Sequence, residues 1–269
     1  MIAKRVTVWA LSIFAVLMLI NPIPLRADGS NSGQWDYVPR VVHVPILMYH
    51  YIDNPPANAD KVLLDLVVTP VNFTQQMQWL KDNGYTTISP DELMAALWHG
   101  KKLPPKPIML TFDDGYANAW YNAFPILKKF GFSGVFFVIT DFIDTGRPGY
   151  LSWPLAKIMV QSGMFIENHT RGHQNLKNRS RDFLINQIVG AQKAIELNTG
   201  EHPRFFCYPF GGYDDFAVAE LQAIGLDAAF TENKGIDLYA SNPYRMPRVR
   251  VRGATDIKTF AQLVYNGGL

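Results

Sequence analysis

The chain has 269 residues, 48 % of them hydrophobic, and a formal net charge of +2. That length and apolar content suit one globular domain with a large core and exclude a disordered chain. The near-neutral balance, with no dense Lys/Arg run in the body of the chain, gives no electrostatic basis for nucleic-acid binding.

Lys4 and Arg5 precede an apolar stretch from Val6 to Ile20, and Pro22 and Pro24 break the segment after it. The stretch is short for a membrane span and usual for an export signal. Leu25-Arg26-Ala27 is a poor small-x-small cleavage site. Residues 1–27 are therefore read as a signal peptide or N-terminal anchor, 28–40 as a polar linker, and 41–269 as a single domain. An extracytoplasmic place, secreted or in the cell envelope, is the consequence, and an uncleaved anchor would add membrane association. Cys207 is the only cysteine. It permits no intrachain disulfide and no cysteine-based zinc site, and reads as a small buried apolar residue. Nothing in the sequence sets an oligomeric state.

From residue 41 the pattern alternates. Val44–Tyr51 is a short β-like run. Helical spacing of Phe73, Met77 and Leu80 predicts a helix over 72–83, closed before Gly84. Tyr85–Ile88 is strand-like, and Pro90–Trp98 is a helix with Pro at its start. Pro107–Phe112 is an apolar strand. Ala117–Phe130 reads as a helix ended by Gly131, Gly134–Thr140 as a buried strand, and Pro154–Ser162 as a helix. Met164–Glu167 is a strand, Ser180–Leu197 the longest helix, Arg204–Tyr208 a strand and Phe216–Ala223 a helix. Ala228–Thr231 and Arg245–Val251 are strands, and Asp256–Tyr265 is a last helix. Strands alternating with helices predict a parallel sheet with crossover helices, and about seven such units predict an α/β barrel, closed or nearly so. In that architecture the chemistry sits at the C-terminal ends of the strands.

Two motifs fall there. Thr111-Phe112-Asp113-Asp114-Gly115 follows one predicted strand, and His169-Thr170-Arg171-Gly172-His173 follows another. Along an extended strand Asp113 and Asp114 would point to opposite faces, but a turn at Gly115 lets both serve one site. Imidazoles at i and i+4 converge if the segment coils. Two imidazoles and one carboxylate make a zinc site with an open position, and the second carboxylate is left to act as a base. An Asp-Asp-Gly by itself is often only a polar turn; the two motifs together point to a metal centre.

The same two motifs resemble the first two of the polysaccharide deacetylases, the NodB-homology family of carbohydrate esterases. Phe206-Cys207-Tyr208-Pro209-Phe210-Gly211-Gly212-Tyr213-Asp214 is similar to the family's groove-wall segment. The resemblance implies a distorted (β/α)7 barrel in one domain. It implies Asp113 as catalytic base, Asp114, His169 and His173 as metal ligands, and the backbone N–H of Phe210 as an oxyanion donor. It also implies a divalent metal, zinc first, with cobalt, nickel or iron able to bind the same ligands.

Two departures stand out. Cys207 occupies the position where the family usually carries Arg, and the late Leu-x-His motif is missing. Pro45-Ile46-Leu47-Met48-Tyr49-His50-Tyr51 resembles the domain start of the poly-β-1,6-N-acetylglucosamine deacetylases, whose motif order is rearranged. On that likeness His50 is the general acid, and Arg248 in Met246-Pro247-Arg248-Val249 is a candidate to supply the positive charge that Cys207 cannot. Tyr208, Pro209, Tyr213 and Trp153 are candidates for contact with sugar rings. The implied partner is a polysaccharide, and the implied reaction is hydrolysis of N-acetyl groups on poly-β-1,6-N-acetylglucosamine. Peptidoglycan, chitin or acetylated xylan are the alternative substrates within the family. A glycan-binding protein with a degenerate site is the alternative outside enzymology, and a phosphatase with paired Asp lacks the phosphate-binding loops it would need.

Overall fold

The structure, a computed structural model, describes residues 35–267. The proposed export segment and the linker up to residue 34 lie outside the described residues. Seven strands form the frame: β1 (Ile46–Tyr49), β2 (Pro107–Phe112), β3 (Val135–Val138), β4 (Phe165–Asn168), β5 (Phe205–Cys207), β6 (Ala228–Lys234) and β7 (Met246–Arg250). Each pairs in parallel with the next, and β7 returns to β1, so the sheet closes on itself. The closure is uneven. β4 and β5 share the single register pair Asn168↔Phe206, and the β6–β7 register shifts between Phe230 and Lys234. This is the distorted (β/α)7 barrel that the family resemblance implies.

Helices surround it: α1 (Pro70–Asp82), α2 (Pro90–His99), α3 (Phe124–Phe130), α4 (Trp153–Gln161), α5 (Arg181–Thr199), α6 (Asp215–Ile224) and α7 (Ile257–Asn266). Side chains cap the starts of α1, α2, α5, α6 and α7. Ser89 and Glu92 form a reciprocal capping box on α2, and Thr69 caps α1 ahead of Pro70.

Strand residues are buried on both faces, as a helix-wrapped parallel sheet requires. The two-residue period then sorts them. Ile46, Met109, Val135, Phe137, Phe205, Cys207, Phe230 and Met246 share one buried cluster. Leu47, Tyr49, Leu110, Phe112, Phe136, Val138 and Val249 alternate with them and pack with the α1 and α3 side chains Phe73, Met77 and Leu127. Asp113 has the parity of Met109 and Thr111, and Arg248 that of Met246. Both therefore belong to the barrel interior.

Some boundaries differ from the sequence reading. The predicted helix Ala117–Phe130 splits into a wide π-type turn at Ala119–Ala123 and α3. Pro125 has no N–H to give the α-helical bond at that point, and Phe124 N–H donates to Ala119 O instead. Tyr85–Ile88 shrinks to Thr86–Thr87, which pairs with Pro107–Ile108 outside the ring. Val41–His43 and Asp237–Tyr239 form an antiparallel pair that the sequence reading did not contain. Trp35 packs on the core and Arg40 donates to the carbonyls of Leu97 and Trp98, so the end of the predicted linker lies against the domain.

Phe112 is 1 % exposed and its ring lies 4.6 Å from that of Phe136 and 5.3 Å from that of Tyr49. Phe112→Ala should lower unfolding free energy by about 3–5 kcal/mol, read from denaturant midpoints at constant slope. A loss below about 1 kcal/mol would mean that this layer is not packed as described.

Candidate active site

Asp113 and Asp114 follow β2 directly. Asp113 continues the strand, and its N–H donates to Tyr49 O at 2.9 Å. Asp114 turns the chain: its φ is 74°, and that of Gly115 is 72°. The splay thus begins at Asp114 and not at the glycine alone. Gly115 has its own constraint, because an added Cβ would lie 3.0 Å from Val138 Cγ1.

The histidine segment is built by a similar device. Thr170 and His173 have φ of 68° and 53°. Asn168 Oδ1 accepts from Thr170 N–H at 2.8 Å, and Thr170 Oγ1 accepts from His173 N–H at 2.9 Å. Gln187 on α5 accepts from Gly172 N–H at 2.9 Å. Phe210, in the short turn Pro209–Gly211 after β5, also has a positive φ, 57°. Left-handed backbone at ordinary residues costs on the order of 1–3 kcal/mol each and gathers where a site needs it. Asp114, Thr170, His173 and Phe210 all lie here.

The result is a set of converging ligand atoms. Asp114 Oδ1 is 3.3 Å from His169 Nε2 and 3.1 Å from His173 Nε2. One ligand atom from each of the three residues lies within 4.8 Å of the others. Asp114 Oδ1 is buried and has no hydrogen-bond partner. His169 Nδ1 lies 2.8 Å from Cys207 O, a contact that places its proton on Nδ1 and leaves the Nε2 lone pair toward Asp114. An orphaned carboxylate oxygen and two inward imidazole nitrogens fit a divalent cation.

Asp113 has a different environment. Arg248 is fully buried and grips it with two bonds: Nη1 to Oδ1 at 2.8 Å and Nη2 to Oδ2 at 2.7 Å. The other donors of the guanidinium are also used. Nε reaches Thr231 O at 2.9 Å, Nη1 reaches Thr111 Oγ1 at 3.0 Å, and Nη2 reaches Cys207 Sγ at 3.0 Å. Burial would raise the Asp113 pKa, and Arg248 overrides it, leaving the carboxyl below its ordinary value. A second trio, Asp113, His169 and Cys207, also has metal-ligand spacing. Arg248 already occupies its carboxylate and its thiol, so a cation there would face a guanidinium.

His50 follows β1 and is half-buried at the mouth. Burial lowers its pKa, and the nearby Asp113 and Asp114 oppose that. Phe210 is 64 % exposed, and its ring centre lies 4.4 Å from that of His173.

The aromatic candidates divide. Tyr208 is 1 % exposed; it packs with Phe206 and Leu221, and its hydroxyl donates to Tyr244 O, so its ring cannot meet a sugar. Pro209 is buried as well. Tyr213 is half-buried and stacks on Tyr208 at 4.5 Å. Trp153 packs on the core and donates to Asp144 Oδ1 at 2.7 Å. The sequence reading missed Tyr51, Tyr116 and Tyr150. Tyr51 and Tyr116 stack at 3.7 Å, and Tyr116 lies 5.1 Å from Tyr150. Their signal was position: Tyr51 follows His50, and Tyr116 follows Gly115.

A sequence model described as polysaccharide deacetylase matches residues 100–229. The crystal structure of BC0361, a polysaccharide deacetylase from Bacillus cereus, is 32 % identical with a TM-score of 0.73, over 83 % of this chain and 69 % of that one. The chain belongs to the polysaccharide deacetylase family. It is thereby a hydrolase that removes acetyl groups from polysaccharide. A putative polysaccharide deacetylase of Bacillus subtilis (strain 168), YxkH, is 29 % identical over 85 % of this chain and 78 % of its own length. The poly-β-1,6-N-acetyl-D-glucosamine N-deacetylase of Escherichia coli (strain K12) is 26 % identical over 71 % of this chain, and the chain spans 34 % of that enzyme's length. Within this deacetylase, cation capture by Asp114, His169 and His173 predicts that metal analysis finds a bound divalent ion in the parent and in Asp113→Asn. The His169→Ala variant should lose it. A His169→Ala protein with the parent's metal content would refute this ligand set.

Proposed function

We propose that this chain removes N-acetyl groups from N-acetylglucosamine units of an extracytoplasmic glycan, poly-β-1,6-N-acetylglucosamine in the first instance. The observation that carries the reading is the placement of an Arg-held Asp113 beside the Asp114, His169 and His173 ligand set. A pure binding protein has no use for a spare, charge-stabilised carboxylate at that point. The β-1,6 preference rests on His50 at the domain start and on the likeness to the E. coli enzyme.

Asp114, His169 and His173 would hold the cation, with zinc the best match to two imidazoles and a carboxylate. Such an ion supplies Lewis-acid polarisation of the acetyl carbonyl and makes a bound water more acidic. Asp113 accepts a proton from the attacking water. Arg248 holds both Asp113 oxygens and Cys207 Sγ lies 3.6 Å from Oδ2, so Oδ1 keeps a lone pair for that proton. The backbone N–H of Phe210 donates to the carbonyl oxygen as it becomes negative; a main-chain donor makes the identity of the side chain secondary. His50 gives a proton to the departing nitrogen as the C–N bond breaks, so the products are acetate and a free amine. Without that proton the leaving group would be an amide anion, which leaves far less readily. Exposed Phe210 and the Tyr51–Tyr116–Tyr150 group supply aromatic surface for sugar rings. The apolar stretch at Val6–Ile20 would deliver the enzyme across the membrane, as an export signal or an anchor.

Acetate release from β-1,6-linked N-acetylglucosamine oligomers tests the reading. Asp113→Asn should lower turnover by about 10²–10⁴-fold with the metal retained, and His50→Ala should also slow amide hydrolysis severely. Full turnover in Asp113→Asn would refute the mechanism. Activity on peptidoglycan, chitin or acetylated xylan in place of the β-1,6 oligomer would keep the mechanism and overturn the substrate. An inert His50→Ala substitution would favour an ester substrate, which needs less acid assistance.

A further inference from the structure

A cavity opens beside the barrel mouth. Its volume is about 320 Å³, and it is lined by Asn72, Gln75 and Gln76 of α1 and by residues 253–257. Both walls belong to the mouth side. The first turns of α1 are reached from the segment after β1, and residues 253–257 run from the C-terminal end of β7 into α7.

Gln76 sets the chemistry. It is 1 % exposed, and Tyr49 donates its hydroxyl to Gln76 Oε1 at 2.9 Å. Gln76 Nε2 has no hydrogen-bond partner, an uncommon state for a buried amide. The opposite wall is the start of the ten-residue α7, whose Asp256 caps the helix by accepting from Thr259 N–H at 2.7 Å. Asn72 and Gln75 add amide donors and acceptors. The lining contains no Lys, Arg or His, so an anionic ligand has no counter-charge. It contains one carboxylate and several neutral polar groups, which suit a ligand carrying both hydroxyl donors and carbonyl acceptors. The volume lies at the low end for small-ligand sites and suits a single sugar ring.

We propose that this cavity is a second glycan subsite, which takes one N-acetylhexosamine unit of the polymer being deacetylated, with an acetamido carbonyl accepting from Gln76 Nε2. The inference rests on the glycan reading of the Asp113 site. The two places are linked through the chain, because Tyr49, the partner of Gln76, immediately precedes His50. A polymer engaged at both would be held by a unit away from the reacting one, and short oligomers would miss the second hold.

Calorimetric binding to the Asp113→Asn protein tests this, with β-1,6-linked N-acetylglucosamine dimer and pentamer as probes. Ala254→Trp fills the cavity from an exposed position and is the deciding variant. Gln76→Met removes the amide, with the Tyr49 bond lost as well. The pentamer should bind the Asp113→Asn protein more tightly than the dimer. Adding Ala254→Trp should raise the pentamer Kd about tenfold and leave the dimer Kd unchanged, with Gln76→Met following the same pattern. A pentamer that binds no tighter than the dimer overturns the proposal. So does an Ala254→Trp substitution that leaves pentamer affinity intact, or that weakens both ligands equally. Acetate release from the same pentamer by the unsubstituted enzyme reports separately on the Asp113 reading, so failure of one is told from failure of the other.

Discussion

The ion pair between Arg248 and Asp113 is the interaction on which the rest of the site depends. A buried carboxylate is expensive, and so is a buried guanidinium; neither is tolerated in a barrel interior unless it is paired and fully hydrogen-bonded. Arg248 meets that condition with acceptors from several strands: Thr231 O on β6, Thr111 Oγ1 on β2, Cys207 Sγ on β5, and both oxygens of Asp113 after β2. The pair is therefore a product of the closed barrel. Opening the sheet at any of these strands would strand a charge in an apolar interior, a loss of about 3–5 kcal/mol when one partner of such a pair is removed.

This pair also explains the departure at Cys207. The family's usual Arg at that position would project into the space that the Arg248 guanidinium already fills. Cys207 is small, fully buried and close to Arg248 Nη2, and burial pushes its thiol pKa up. In this chain the positive charge beside Asp113 comes from β7 and not from β5. The backbone of Cys207 serves the ligand set as well. Its carbonyl oxygen fixes the His169 ring, so one candidate metal ligand is oriented from the same short strand that touches Arg248.

Much of this was legible in the sequence, for a local reason. Asp113-Asp114 and His169–His173 are contiguous groups whose residue types and spacing can be read without their distant partners, and the alternation of strands and helices placed both at one mouth. What the sequence hid depended on parity and on closure. Tyr208 looked like groove wall, but it shares the parity of Phe206, whose side chains face the helices and not the mouth. Arg248 could be nominated and no more, because its contact with Asp113 joins residues 135 apart and needs β7 to return to β1 and β6. Pro125 should have signalled the break in the predicted helix Ala117–Phe130, since it removes an interior hydrogen bond. The tyrosines beside His50 and Gly115 were visible as neighbours of the motifs but carried no pattern of their own.

The most direct test of the account is the turnover of Arg248→Gln, measured on metal-loaded, folded protein. Gln keeps a polar side chain and removes the charge. If Arg248 holds Asp113 as the base, kcat should fall by about a hundredfold or more while the bound cation stays at the parent level. Turnover equal to the parent's would contradict the account, because the charge that organises this barrel mouth would then have no part in the reaction.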